Sequence, residues 1–114
     1  MQVEFLEKGG RLIARPQGRM EAADGDRFAA DTEQLVKNQI KAVTIDLDQL
    51  DSVSFGGIRS ILRLARSLKG KKRELEFIGG GELVRDALDQ AGLDDFFPFT
   101  PPYISNRGKA DGTQ

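Results

Sequence analysis

The 114-residue chain contains no cysteine, no histidine and no tryptophan. Without cysteine there is no disulfide framework, no thiolate metal site and no cysteine nucleophile. Without histidine the commonest general base and metal ligand are missing, and so is every triad built on imidazole. Catalysis would have to rest on carboxylates, lysines, serines or the single tyrosine, Tyr103. Long apolar runs are also lacking: none approaches the roughly 20 residues that cross a bilayer. The start, MQVEFLEKGG, has no basic region followed by an apolar one, so no secretory signal is read there and the expected location is the cytoplasm. Neither sign of charge is in excess. The 17 basic and 18 acidic residues give a net charge of -1, which offers no whole-molecule attraction to nucleic acid or anionic membrane. What is present, 39% apolar and 31% charged residues, suits a globular chain of one domain.

Periodicity sets out the elements. QVEFLEKG alternates Val3 and Phe5 with polar residues, Gly9 and Gly10 turn, and RLIARPQG continues, so the spacing predicts a β-hairpin. Pro16 cannot donate to a ladder, so the second strand is expected to end there or to lie on an edge. MEAADGDRFAADTEQLVKNQ reads as a helix starting near Asp24 or Asp26, with Phe28, Thr32, Leu35 and Val36 on one face. AVTIDL is expected as a central strand buried on both faces. Ile58, Ile61, Leu62, Leu64, Ala65 and Leu68 mark an amphipathic helix of about three turns, closed by KGKK. ELEFIGG is a strand. GELVRDALDQAG is a short helix with Val84, Ala87, Leu88 and Ala91 inward and Gly92 as C-cap. LDDFFPF adds an apolar segment that could form a last strand. The order is β-β-α-β-α-β-α, which implies an α/β fold with an at least partly parallel sheet. Residues 100–114 read as a flexible tail.

The stretch DSVSFGGIRS, residues 51–60, stands at a strand-to-helix junction. It has neither the spacing of a P-loop nor that of a dinucleotide fingerprint. Ser54 is a good N-cap, and the adjacent Gly56 and Gly57 ask for a close neighbour, either another segment of the chain or a docked partner. From Ser52 to Arg73 there is no acid. Arg59, Arg63 and Arg66 fall on one helix face, which is either a solvated stripe or a dock for an acidic partner. No aromatics interleave with them, which argues against nucleic acid. Asp46, Asp48 and Asp51 cluster near a strand end and raise a Mg²⁺ site as an alternative to plain capping. The IGGGEL turn could hold an anion on its amides, or simply turn.

The runs TIDLDQLDSVSFGGI and VRDALDQAGLDDFFPF, with GRMEAAD at residues 18–24, together resemble the STAS domain of bacterial anti-sigma factor antagonists, over roughly residues 3–99. The resemblance implies a small mixed sheet of about four to five strands, with helices mainly packed on one face and a STAS domain over residues 1–99. It implies no cofactor, no metal and no enzymatic activity of its own. It also implies a protein partner, a GHKL-type kinase that doubles as anti-sigma factor, docked on Ser54, Phe55, Gly56, Gly57, Arg59, Arg63 and Arg66. In that family the residue before the second glycine-loop position carries a hydroxyl that the partner phosphorylates, and the phosphate breaks the complex. Aligned on Gly57 and Ile58, the acceptor position falls on Gly56, which has no hydroxyl. Ser52, Ser54 and Ser60 are then the candidate acceptors. Two alternatives stay open: a STAS subunit of a lipid-transport ABC assembly that binds its ATPase, and a small-ligand or nucleotide-binding STAS domain.

Overall fold

The computed structural model describes residues 1–37 and 39–97. The tail at 100–114 and the last two residues of the expected domain lie outside the described residues.

The hairpin forms as its alternation demands: β1 (Gln2–Lys8) pairs antiparallel with β2 (Arg11–Met20) across the Gly9–Gly10 turn, where both glycines take positive φ. β2 does not stop at Pro16. It runs four residues further and is the most shared strand of the sheet. The two-residue turn closes on Lys8↔Arg11, so odd-numbered β2 residues bond toward β1 and even-numbered ones face the other way. On that other side β3 (Ala42–Asp46) pairs with Arg11–Ala14 and β4 (Leu50–Val53) with Gly18–Met20. Pro16 falls in the interval between the two partners, where no ladder asks for its N–H.

The remaining elements are α1 (Ala22–Leu35), α2 (Phe55–Gly70), β5 (Glu74–Ile78) and α3 (Glu82–Leu88). The sheet is five-stranded and mixed, ordered β1-β2-β3-β5, with β4 attached to the far end of β2. One strand was not expected: β4 occupies the first part of the stretch read as a loop. One expected strand is absent from 93–96, where the chain winds through a π turn (Asp89–Leu93) and a 3₁₀ turn (Asp94–Phe96). Phe96 and Phe97 pack there against Phe77, with centroids 6.1 and 5.2 Å apart. α1 starts earlier than its aspartates suggest, because Glu21 and Asp24 form a reciprocal capping box. Leu35 is exposed, since the helix ends there and Val36 turns in instead. α2 spans 16 residues, over four turns rather than three.

The core lies on one side of the sheet. Leu12, Ala14, Val43, Ile45 and Phe77 face Phe28 of α1, the Ile61–Leu64–Leu68 stripe of α2, and Val84 and Leu88 of α3. Among the described residues the other face has no second layer of helices. β3 is nonetheless buried there, because Arg11 reaches across Thr44 to Glu76: Nη1 donates to Thr44 Oγ1 (2.8 Å) and Glu76 Oε2 (3.2 Å). Arg15 does the same with Asp46 (3.1 Å) and Glu4 (3.4 Å).

Candidate functional site

The junction at residues 51–60 is more ordered than a loop. Asp51, Ser52 and Val53 belong to β4, Ser54 is the N-cap of α2, and Phe55 is already helical. The Ser54 hydroxyl accepts from Gly57 N–H at 3.1 Å, while its own N–H donates to Met20 O at 2.9 Å. The cap is thereby tied to the end of β2. The two glycines are explained within the chain. A Cβ on Gly56 would overlap the Cβ of Ala22 and stand 3.0 Å from its Cα. A Cβ on Gly57 would meet Met20 O and a Val53 methyl, both at 2.9 Å. A Cβ on Gly25 would stand 3.0 Å from Gly57 Cα and from Ser60 Cβ. The first turns of α1 and α2 therefore meet nearly backbone to backbone, and Gly57 is buried. Of the two readings of these glycines, the packing of a neighbouring segment accounts for both.

Beside this crossing is an open apolar groove of about 720 Å³, between the start of α2 and α3. Val53, Phe55 and Ile58 line one side, Ala87, Gln90 and Ala91 the other. Phe55 is 88% exposed. Leu83, one turn before Ala87 on α3, is 84% exposed. Ala87 and Ala91, expected inward, are half-buried at the groove instead. The sequence held a signal for this face: Val84 and Leu88 already supply the inward pair of α3, so Leu83 and Ala87 form a second apolar pair four residues apart on an adjacent strip.

The arginine stripe divides. Arg63 is used within the chain: its guanidinium donates to Asp26 Oδ1 at 2.5 Å and to Ser60 Oγ at 3.1 Å. The Ser60 hydroxyl donates to the same Asp26 oxygen at 2.6 Å. That hydrogen bond first, and the guanidinium second, hold the Asp26 carboxyl below its usual range. Arg59 and Arg66 are exposed, and among the described residues no carboxylate pairs with either. The three serines differ as well. Ser52 is exposed on β4, Ser54 is half-buried with its oxygen engaged in the cap, and Ser60 is 1% exposed. Ser60, buried between two helices and bonded to Asp26, is closed to a kinase in this fold.

Neither alternative ligand site assembles. Asp48 Oδ1 accepts from Gly80 N–H at 2.8 Å, so the IGGGEL turn is filled by a carboxylate of the chain itself. Asp46 is engaged by Arg15 and by Asp48 N–H (3.0 Å), and Asp51 stands apart and exposed on β4. Among the described residues no three acidic side chains converge as a metal site, and no helix is long and apolar enough to cross a membrane.

Comparison with known proteins agrees with this architecture. The STAS domain family model matches residues 2–106. A protein of Bordetella bronchiseptica named "Putative anti-sigma factor antagonist BtrV" is 30% identical over 98 residues, covering 86% of this chain and 84% of its own length. Among solved structures, the anti-sigma factor antagonist SpoIIAA in its unphosphorylated form superposes with a TM-score of 0.74 at 12% identity, over 89% of this chain and 90% of its own. An anti-sigma factor antagonist from Mycobacterium paratuberculosis gives a TM-score of 0.74 at 19% identity, over 88% and 85%. At these identities the structures bear on the fold alone. The chain also matches a segment of the structure Mglu with a TM-score of 0.64 at 18% identity, where it spans only 20% of that molecule.

Proposed function

The chain belongs to the STAS domain family, as a member of the anti-sigma factor antagonist kind, and from that premise we propose that it is a non-catalytic docking module. It binds an ATP-binding kinase of the GHKL type that serves as anti-sigma factor, in the cytoplasm. The contact is made through Ser54, Phe55 and the exposed face of α2. The observation that carries this reading is Phe55, 88% exposed next to an apolar groove. A phenyl ring held in water contributes no burial to the fold. Covered by a partner, such a ring buries roughly 150–250 Å² and is the kind of residue that anchors an interface. Arg59, one turn after Phe55, and Arg66, two turns further along the same helix, have no carboxylate partner among the described residues, lay positive charge along the exposed face of α2 and call for an acidic border on the partner.

Gly56 and Gly57 serve this surface by letting α2 sit close on α1, which fixes where Phe55 projects. With glycine at the position aligned to the family's acceptor, the usual phosphate switch has no oxygen to act on. Regulation by phosphate would fall on Ser52 or Ser54. A phosphate on Ser54 would stand at the amide-rich start of α2 and add about two negative charges to the contact, whereas Ser52 precedes the groove residue Val53 in β4 and points to the other face of that strand.

Affinity capture with the full chain, followed by titration of the recovered kinase, tests the reading. Phe55→Ala should leave the unfolding midpoint unchanged and weaken binding by roughly 30-fold or more. Arg59→Glu should weaken it less, with an effect that fades as salt rises. Failure to recover any ATP-binding regulator, or full binding by Phe55→Ala, overturns it.

A further inference from the structure

We infer that β1 is a self-association edge, and that two copies of the chain pair antiparallel through it, centred on Leu6. This goes beyond the docking surface on α2 and uses none of its residues. Among the described residues β1 is the outer strand of the sheet, seven residues long, with only β2 as neighbour. The hairpin register directs the even-numbered residues of β1 toward β2, so the backbone groups of Val3, Phe5 and Glu7 point outward, with no strand among the described residues to receive them. Charged side chains on such an edge ordinarily discourage pairing. Here their order does the opposite for one register.

Three two-fold registers let the outward groups of β1 bond to a second β1. Centred on Glu4, the pairing sets Glu4 against Glu4. Centred on Phe5, it sets Glu4 against Leu6 and Val3 against Glu7. Centred on Leu6, it sets Leu6 against Leu6 and, on either side, Glu4 against Lys8. These are non-hydrogen-bonded pairs, the kind in which facing side chains approach most closely. Leu6 is 47% exposed on the open face of the sheet, an apolar residue among Glu4, Lys8 and Arg15. On the helix side the copy's Glu7 comes beside Phe5, in a groove lined by Arg27 together with Asp24 and Asp31, so that side adds no net attraction. One register thus satisfies the edge amides, covers Leu6 and joins opposite charges across the open face of the sheet. The contact is small, so the dimer forms at high micromolar concentration.

Sedimentation equilibrium of the full chain from about 10 μM to 1 mM tests this. Dimerisation should appear, and Glu4→Lys, which turns both Glu4–Lys8 pairs repulsive, should weaken it by about tenfold. The double variant Glu4→Lys/Lys8→Glu restores opposite charges only in this register and should recover the dimer. Circular dichroism confirms that each variant is folded. A chain that stays monomeric to 1 mM overturns the proposal. So does a dimer indifferent to Glu4→Lys, or one lost in that variant and not recovered in the double variant.

Discussion

A side chain at position 56 would have to displace the start of α1. Gly56→Ser would place a hydroxyl there, but its Cβ collides with Ala22. The expected result is a loss of about 1–3 kcal/mol, the usual cost of overpacking, read as a lower denaturant midpoint. Introducing Ala22→Gly in the same chain should recover more than half of that loss, since the two atoms compete for one space. If the two changes prove additive, the clash is not the cause. Asp26 shows the residue scale in its electrostatics. Its carboxyl is held below the ordinary aspartate value by Ser60 and then by Arg63. A depressed value in the folded state adds stability that is complete above the unfolded value, about 3.9, and drains away as pH falls through the folded one. Asp26→Asn should therefore flatten the loss of stability below about pH 4. Denaturation midpoints at pH 3, 4 and 6 decide it: equal slopes for the two chains would refute the assignment. None of these partnerships is legible in the sequence. Asp26 and Ser60 lie 34 residues apart, and only the crossing of two helices brings them together.

At the scale of elements, what could be read was what is local. The Ser54 cap, the α2 stripe and the Gly9–Gly10 turn each follow from residues within a few positions of one another, and each is present. What escaped was decided from a distance. β4 is four residues with two of them exposed, and nothing in its own pattern announces a strand. It exists because the end of β2 offers it a ladder. Pro16 misled for a related reason: proline breaks a strand only where a neighbour needs its N–H, and that depends on where β3 stops and β4 begins. The cap itself can be tested. Ser54→Ala should cost about 1 kcal/mol, whereas Ser54→Asp should be neutral or better, because a carboxylate caps as well and suits the positive end of the helix. Thermal unfolding of the two variants separates a capping role from mere tolerance. Equal melting temperatures for both would remove the cap from the account.

The whole molecule has two unlike sides. Helices and core occupy one face of the sheet, while among the described residues the other is covered by long side chains, with Arg11 lying over Thr44 and Arg15 spanning Glu4 and Asp46. The composition pointed to one small globular domain without thiol or imidazole chemistry, the order of periodic segments to an α/β fold, and the order of motifs to its family. The candidate surface was half legible. Phe55, Arg59 and Arg66 stand out along the chain, but the opposite wall of the groove, with Leu83 and Ala87, belongs to a helix nearly thirty residues away that meets α2 only in the folded state. Arg63 illustrates the reverse case: equal to its neighbours in sequence, it is spent on holding α1 to α2.

The contact between Gly56 and Ala22 also constrains the history this protein can have. A residue other than glycine at position 56 costs least after position 22 has given up its methyl group. That first step has no benefit of its own and gives up some helix propensity. The two changes are therefore cheaper in one order than in the other. Position 56 is weighed against a residue 34 places earlier, so a lineage carrying Ala22 meets a stability cost for any side chain there.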